Sequence, residues 1–167
     1  VPNSISCNAA ISACEKGDQW QLAVALLRRM PELRALSDTI SCNSAISACA
    51  KDGQWQAALA LLSSMPELHA KPDTISCTAA ISACGEGGQW KCALALLGRM
   101  PELRALPDNT CCNAVISACQ KDWQLALALL DSMTKFRVVP NSMCCGTAIS
   151  ACEQGGEWQI ALALLRR

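Results

Sequence analysis

The sequence lacks several residue types that catalytic and metal sites commonly need. Among 167 residues there is no tyrosine, a single phenylalanine and a single histidine, His69. Fourteen Lys and Arg residues balance 14 Asp and Glu residues, so a net charge of zero gives no general attraction for a polyanion. No apolar run approaches the roughly 18 residues that a membrane-spanning helix needs. We therefore expect no membrane association and no histidine-based metal site.

The sequence has instead one unit of 35 residues that is repeated along the whole chain. Copies of residues 39–73 begin at Ser4, Thr74, Asn109 and Ser142. The fourth copy is two residues short, because KDGQW in the second copy has become KDW at Lys121 to Trp123. We expect this loss to shorten a turn and to leave the helices largely intact. A period of this length predicts a solenoid, in which each unit packs only on its neighbours.

The repeat predicts one continuous array. It consists of residues 1–3 as the end of a preceding unit, four units at 4–38, 39–73, 74–108 and 109–141, and a partial fifth unit at 142–167. The opening residues 1–3 (V-P-N) match residues 139–141, which end the fourth unit. We therefore expect the chain to be a segment of a longer protein.

Each unit contains two helical stretches. In residues 5–16 the side chains of Cys7, Ile11 and Cys14 recur at spacings of four and three, which places them on one helix face. Residues 19–30 carry a second apolar stripe that begins at Trp20, and Pro31 ends it, since proline removes a backbone donor and clashes with the preceding turn. The predicted fold is all-α, an α-solenoid superhelix of tandem helix-turn-helix repeats.

The 13 cysteines recur at fixed places inside this apolar helical pattern. An odd number of cysteines at such places favours a reducing compartment over a disulfide framework. The pair Cys7 and Cys14 lies seven residues apart, two turns along one helix, and no C-x2-C motif occurs. We expect the cysteines to be small packing residues, with no metal and no cofactor bound.

Two families of helical hairpins have units of about this length. The tetratricopeptide repeat expects a tryptophan and a tyrosine in its first helix, whereas here Trp20 opens the second helix. The unit instead resembles the pentatricopeptide repeat. Residues 39–46 (T-I-S-C-N-S-A-I) stand for the family's opening, Lys51-Asp52-Gly53 for its turn, residues 58–65 for its second helix and Lys71-Pro72-Asp73 for its close. The family's tyrosine at the fourth position is cysteine in every copy, as at Cys42.

The resemblance implies binding of single-stranded RNA, one base per unit. It implies an aliphatic residue at the second position that sandwiches the base, a polar residue at the fifth position that bonds the base edge, and an assisting residue at the last position. The base-sandwiching set is Ile5, Ile40, Ile75, Thr110 and Met143. The base-reading set is Asn8, Asp38, Asn43, Asp73, Thr78, Asp108, Asn113 and Asn141. Thr110 departs from the aliphatic pattern, which weakens the expected sandwich there.

An amide offers both a donor and an acceptor to a base edge, whereas a carboxylate only accepts. The resemblance implies that Asn with Asp favours U, Thr with Asp favours G, and Asn with Asn favours C, so the implied sequence is U-U-G-C. Gly146, at the fifth position of the last unit, has no side chain with which to read. The alternative for Asn8 and its equivalents is that they only satisfy helix starts or face solvent.

Three lysines at position 13 of their units, Lys16, Lys51 and Lys121, face RNA phosphates if the family geometry holds. Glu86 and Gln154 occupy this position in the other units, so the basic track is interrupted. The alternative is that these lysines are ordinary solvated surface residues.

The sequence carries no catalytic motif that we recognise. A zinc deaminase domain needs H-x-E and P-C-x2-C, and neither is present. We therefore expect a binding module and no enzyme, with single-stranded RNA as the partner and no small-molecule substrate. By the resemblance it acts in RNA processing, stability, editing or translation in a mitochondrion or chloroplast. The alternative function is a helical-repeat scaffold that binds protein partners in the same groove, which the neutral charge favours.

Overall fold

The computed structural model describes residues 3–166, and these residues form ten α-helices and no strand. The first helices of the five units are α1 Ser4–Lys16, α3 Thr39–Lys51, α5 Thr74–Glu86, α7 Asn109–Ala118 and α9 Ser142–Gln154. The second helices are α2 Trp20–Arg29, α4 Trp55–Ser64, α6 Trp90–Arg99, α8 Trp123–Ser132 and α10 Trp158–Leu164. A short 3₁₀ helix, Met133–Phe136, follows α8. Val1 and Pro2, predicted to end a preceding unit, and Arg167, in the partial fifth unit, lie outside the described residues.

The helix boundaries follow from capping residues and proline. The residue before each first helix is Asn or Asp, and its side chain accepts a hydrogen bond from the third backbone N–H of that helix, as Asp38 does from Ser41 at 2.8 Å. Helix α2 ends at Arg29, two residues before Pro31. Gly17 closes α1 with its N–H on the Ala13 carbonyl oxygen. The predicted helix stops are therefore confirmed.

The helices form two layers. Each first helix packs against the next first helix, from α1 through α9, and each second helix packs against its own first helix and against the first helix of the following unit. Within residues 3–166, successive second helices make no comparable contact. The first helices thus form a continuous inner layer. The second helices form an outer layer, in which each of α2, α4, α6 and α8 lies between two first helices. This arrangement confirms the predicted α-solenoid.

Small residues allow the first helices to approach closely. Ala45, Ala48 and Ala80 are fully or almost fully buried between neighbouring first helices. A Cβ atom at Gly85 would lie only 3.1 Å from the Ala118 Cβ atom, in the next first helix. The bulkier side chains, such as Leu27 and Met30, fill the space under the second helices.

The cysteines of the inner layer are packing residues with free thiols. Cys42, Cys49, Cys77 and Cys84 are each at most 1% exposed. Burial raises the pKa of each of these four thiols to about 11, from an ordinary value of 9.0. They are therefore protonated and unreactive near neutral pH.

The two-residue loss in the fourth unit removes helix as well as turn, so the expectation that it spares the helices was wrong. Helix α7 has 10 residues, whereas the other first helices have 13. The start of α8 is held in place, because the Trp123 ring packs directly on Gly155 of the next unit and the Asp122 side chain accepts from Leu125 N at 3.1 Å. The missing helical residues are at the end of α7, where Trp90, Cys119 and Asp122 help to line a cavity of about 590 Å³.

Candidate functional site

The surface of the inner layer carries a row of exposed apolar side chains, one in each of four units. They are Ile5 at 78%, Ile40 at 66%, Ile75 at 65% and Met143 at 60% exposure. Thr110 continues the row and is exposed as well. Each side chain stands at the second position of a first helix, near its N-terminus. The five residues predicted to sandwich bases are therefore all accessible to a ligand.

The fifth and last positions of the first two units are joined by hydrogen bonds. Asn8 Nδ2 donates to Asp38 Oδ1 at 3.3 Å and to Asp38 Oδ2 at 3.1 Å. Asn43 Nδ2 donates to the two carboxylate oxygens of Asp73, each at 3.3 Å. Asn8 lies on α1, whereas Asp38 directly precedes α3. We use the word junction for such a place, where the fifth residue of one first helix meets the residue that caps the next.

The carboxylate at a junction has two tasks. Asp38 Oδ1 caps α3 by accepting from Ser41 N, while both of its oxygens hold the Asn8 amide. Partial burial opposes ionisation of Asp38, but the hydrogen bonds from Ser41 N and Asn8 outweigh it and lower the pKa of Asp38 below its ordinary 3.8. Asp38 therefore caps a helix and holds the predicted reading residue Asn8 at the same time.

The two asparagine amides have a fixed orientation. A carboxylate can only accept hydrogen bonds, so Nδ2 must face it and Oδ1 must point away. The Oδ1 atoms of Asn8 and Asn43 have no hydrogen-bond partner and almost no exposed surface. Each junction thus contains an acceptor that lacks a donor, which is costly for a folded chain.

The third junction is built differently. Thr78 Oγ1 donates to the Thr74 carbonyl oxygen at 2.7 Å, one turn back in α5, and in residues 3–166 no hydrogen bond joins it to Asp108. Asp108 Oδ1 accepts from Cys111 N at 2.9 Å and so caps α7. Thr78 and Asp108 line an open cavity of about 810 Å³ together with Ile75 and Thr110. The predicted phosphate residue Lys51 lines it as well, so the structure places five predicted site residues around one cavity.

The fourth junction contains a residue that the sequence analysis missed. No hydrogen bond joins Asn113 to Asn141 in the part of the chain that the structure describes, and Asn141 Oδ1 caps α9 by accepting from Cys144 N at 3.0 Å. Asn113 Oδ1 instead accepts from Thr147 Oγ1 at 2.7 Å. Thr147 stands at the sixth position of the fifth unit, next to Gly146, which leaves open space where a side chain would stand. Its one sequence signal is a hydroxyl at the sixth position, where Ala9, Ala79 and Ala114 have none and only Ser44 has another.

The three predicted phosphate lysines differ in their surroundings. Lys51 Nζ lies 3.4 Å from Asp18 Oδ1 and donates to the Glu15 carbonyl oxygen at 2.7 Å. Lys16 and Lys121 are exposed, as is Glu86 at the same position of the third unit. Lys51, which lines the 810 Å³ cavity, is thus bound to Asp18 and Glu15 of the preceding unit.

Two kinds of site are not found among the described residues. Residues 3–166 contain no group of three or more His, Cys, Asp or Glu side chains placed to hold a metal ion. None of the described helices is long and apolar enough to cross a membrane.

Comparison with known proteins matches the repeats directly. The model described as PPR repeat family, where PPR stands for pentatricopeptide repeat, matches residues 37–86. The model described as PPR repeat matches residues 5–34 and 75–104. No curated protein sequence gives a significant match.

Several solved structures share the fold. The crystal structure of the pentatricopeptide repeat protein PPR10 from maize is 25% identical with a TM-score of 0.81, over 99% of this chain and 24% of PPR10. PPR10 in complex with an 18-nucleotide psaJ RNA element is 26% identical with a TM-score of 0.68, over 96% of this chain and 24% of that one. The chain therefore spans about a quarter of the length of PPR10.

A third similar structure supports the fold alone. The PPR domain of Arabidopsis thaliana protein-only RNase P 1, in complex with tRNA, is 12% identical with a TM-score of 0.77 and covers 98% of this chain and 88% of that domain. The matched repeats and the shared two-layer solenoid confirm the resemblance inferred from the repeat pattern: the chain belongs to the pentatricopeptide repeat family.

Proposed function

We propose that the chain binds single-stranded RNA along its inner layer, with one base at each junction and the preferred sequence U-U-G-C from the first unit to the fourth. The observation that carries this proposal is the pair of asparagine amides, Asn8 and Asn43, that carboxylates hold in one orientation. They lie on the same helices as a row of exposed aliphatic side chains. A nucleic-acid base has apolar faces and polar edges, so it can pack on the exposed isoleucines and form hydrogen bonds with the asparagine amides.

Uracil fits the first two junctions by its hydrogen-bond pattern. Because Asp38 and Asp73 hold the amide Nδ2 atoms, the group left to meet a base is the Oδ1 acceptor. Uracil presents an N–H on its pairing edge at the atom where cytosine presents an acceptor. The Oδ1 atoms are covered in the unbound chain, so a base reaches them only after a small side-chain rotation.

Guanine fits the third junction for a different reason. The Thr78 hydroxyl gives its hydrogen to the Thr74 carbonyl oxygen, so the Thr78 oxygen and the Asp108 carboxylate are left as acceptors in the 810 Å³ cavity. Guanine offers two adjacent N–H donors on its pairing edge, more than any other base. The Thr78 oxygen and the Asp108 carboxylate, whose Oδ1 also caps α7, together accept both hydrogen bonds.

The exposed side chains at the second position supply the apolar contact. Ile40 and Ile75 belong to consecutive first helices, so a base between them would cover apolar surface on both of its faces. Burial of that surface favours binding by roughly 25 cal/mol for each Å² removed from water. Thr110 offers less apolar surface than isoleucine, so we expect the contacts beside it to be weaker.

Similarity to a known RNA complex supports the proposal, since PPR10 has been solved with an RNA element bound. From the family resemblance we also propose that the target is an organellar transcript and that the role lies in its processing, stability, editing or translation. Imaging the tagged full-length protein in its own cells tests the location. A signal confined to the cytosol or nucleus would contradict it.

The direct test is binding of labelled 12-nucleotide RNAs that carry UUGC within a run of A. One competitor RNA has A in place of G, and another has A in place of all four bases. Binding is measured at two salt concentrations. We expect UUGC to bind best and the G preference to disappear in Thr78→Val and in Asp108→Asn. A folded, monomeric sample that binds none of these RNAs would contradict the proposal and favour a scaffold for protein partners.

A further inference from the structure

We propose that Thr147 is a specificity-determining residue of the fourth junction: its hydroxyl orients the Asn113 amide so that the amide nitrogen faces the base. This inference rests on the proposed RNA binding. It adds to the fourth junction a position, the sixth of the following unit, that lies outside the predicted set of reading residues.

The residue at the last position of the fourth unit does not hold the reading amide as aspartate does at the first two junctions. Asp38 has two acceptor oxygens, and it uses them for the Ser41 N–H of α3 and for the Asn8 amide. Asn141 has one acceptor oxygen, and the Cys144 N–H of α9 occupies it at 3.0 Å. In the described part of the chain, this oxygen accepts no second hydrogen bond from Asn113 Nδ2.

Thr147 takes over the orienting role from the other side of the junction. Its hydroxyl carries one hydrogen, and the nearer of its two acceptors is Asn113 Oδ1 at 2.7 Å, against 3.0 Å for the Met143 carbonyl oxygen. With Oδ1 engaged, Asn113 presents Nδ2, a donor, to the base. The amide is therefore turned opposite to Asn8 and Asn43, whose Nδ2 atoms are engaged and whose Oδ1 atoms are not.

This reversal accounts for a change of base preference between two identical reading residues. A donor in the fourth junction suits cytosine, which has an acceptor where uracil has an N–H. The equivalent residue of the second junction is Ala79, which offers no hydroxyl. At the first junction it is Ser44, and Asn8 Oδ1 remains without a partner there because Asp38 holds the amide by its nitrogen.

The first experiment removes the hydroxyl and keeps the shape. Thr147→Val is compared with the unchanged protein in competition between UUGC and UUGU RNAs. We expect the preference for C over U at the fourth base to fall by about 3-fold to 10-fold, the effect of one hydrogen bond. Ser44→Ala is the matched control, because it removes a hydroxyl from the equivalent place of the first junction. It should leave the preference at the first base unchanged.

The second experiment builds the arrangement at another junction. In Asp73→Asn, the Asn43 amide loses its carboxylate, and we expect weak discrimination between U and C at the second base. Adding Ala79→Thr to this variant supplies the missing hydroxyl and should create a preference for C. A merely structural role of Thr147 would not transfer in this way.

The outcomes separate this inference from the proposed function. No binding of UUGC by the unchanged protein contradicts RNA binding itself. Binding of UUGC with an unchanged C-over-U ratio in Thr147→Val overturns the orienting role alone. A preference for U in the Asp73→Asn, Ala79→Thr variant overturns it as well, because the hydroxyl would then be accepting from the amide nitrogen. Circular dichroism of each variant confirms that it is folded before it is scored.

Discussion

Lys51 and Asp18 form an ion pair between two neighbouring units, with 3.4 Å between Lys51 Nζ and Asp18 Oδ1. The same ammonium donates to the Glu15 carbonyl oxygen at the end of α1. With side-chain exposures of 43% and 66%, this pair contributes little to stability. Its more important effect is on Lys51, which is predicted to face phosphate. The ion pair holds the Lys51 ammonium beside the Asp18 carboxylate instead.

Releasing Lys51 should therefore strengthen RNA binding. In Asp18→Asn the backbone keeps its left-handed φ of 54°, which asparagine tolerates, and the competing negative charge is gone. We expect affinity for UUGC RNA at low salt to rise by about 2-fold to 5-fold, with a salt slope steeper by about 0.7, the value for one added phosphate contact. Titrations at three salt concentrations measure both quantities.

Two variants control for this effect. Glu67→Gln changes the net charge equally but lies in a connector, and it should leave the slope unaltered. In the double variant Asp18→Asn, Lys51→Ala the gain should disappear. Retention of the gain without Lys51 would show that the lysine is not the group that contacts phosphate.

The contact between Trp55 and Gly87 should make the turn of the third unit sensitive to a single methyl group. A Cβ atom at Gly87 would lie 2.5 Å from Trp55 Cδ1 and 2.9 Å from the Gly53 carbonyl oxygen. We expect Gly87→Ala to lower the free energy of unfolding by about 1–3 kcal/mol, since overpacking forces neighbours to shift.

Gly98→Ala is the matched control, because no atom lies within 4 Å of its added Cβ. Better helix propensity should there raise stability by about 1 kcal/mol. Urea unfolding of the two variants tests this difference, and equal effects would contradict it.

The buried thiols predict a loss of stability in alkali. Burial raises the pKa of Cys42, Cys49, Cys77, Cys84 and Cys119 to about 11, against 9.0 for an unfolded thiol. Between these values the unfolded chain releases protons that the folded chain keeps, so the free energy of unfolding falls as pH rises from 9 towards 11. The contribution is fully present below pH 9. Urea midpoints measured from pH 7 to pH 10.5 should fall steeply above pH 9. A variant with serine or alanine at these five positions should show a shallower fall, if it folds.

Asp38 predicts a matching effect in acid. Its pKa is lower in the folded chain than the ordinary 3.8, so its ionisation stabilises the fold above that value and the contribution is lost as pH falls through the lowered pKa. Asp38→Asn keeps an acceptor that caps α3 but cannot ionise, so its stability should vary less between pH 5 and pH 3. Asp38→Ala also removes the cap and should cost about 1 kcal/mol at pH 7. Thermal midpoints of the unchanged protein and the two variants, measured across this pH range, test this assignment. Equal changes of all three midpoints with pH would contradict it.

The fold could be predicted almost completely from the sequence, because a repeated pattern presents each signal several times. The apolar spacing of Cys7 and Ile11, the cap at Asp38 and the stop at Pro31 all act within a few residues, and local effects of that kind are visible in sequence. The fourth unit is the exception, because its two-residue loss is visible in the sequence but the shortening of α7 that accompanies it is not.

The predicted site residues stay a prediction, and the sequence anticipated only some of the hydrogen bonds between them. The pairing of Asn8 with Asp38 follows from a family pattern, and the structure shows hydrogen bonds between them. The same pattern pairs Asn113 with Asn141, which make no hydrogen bond in the described part of the chain. Thr147 escaped the sequence analysis because it stands 34 residues from Asn113, and only packing of α7 against α9 brings their polar atoms together.

Each junction is completed by the first helix that comes next, through a cap such as Asp73 and a neighbour such as Ala79 or Thr147. Under the proposed RNA binding, recognition is then a property of adjacent units and of their order. Two arrays assembled from the same hairpins in a different sequence would read the same bases with different fidelity. A hairpin placed last would hold a reader without the helix that steadies it, however good its own residues are. Under the proposed RNA binding, shuffling whole units would preserve the fold and the reading residues but change how firmly each reading residue is held.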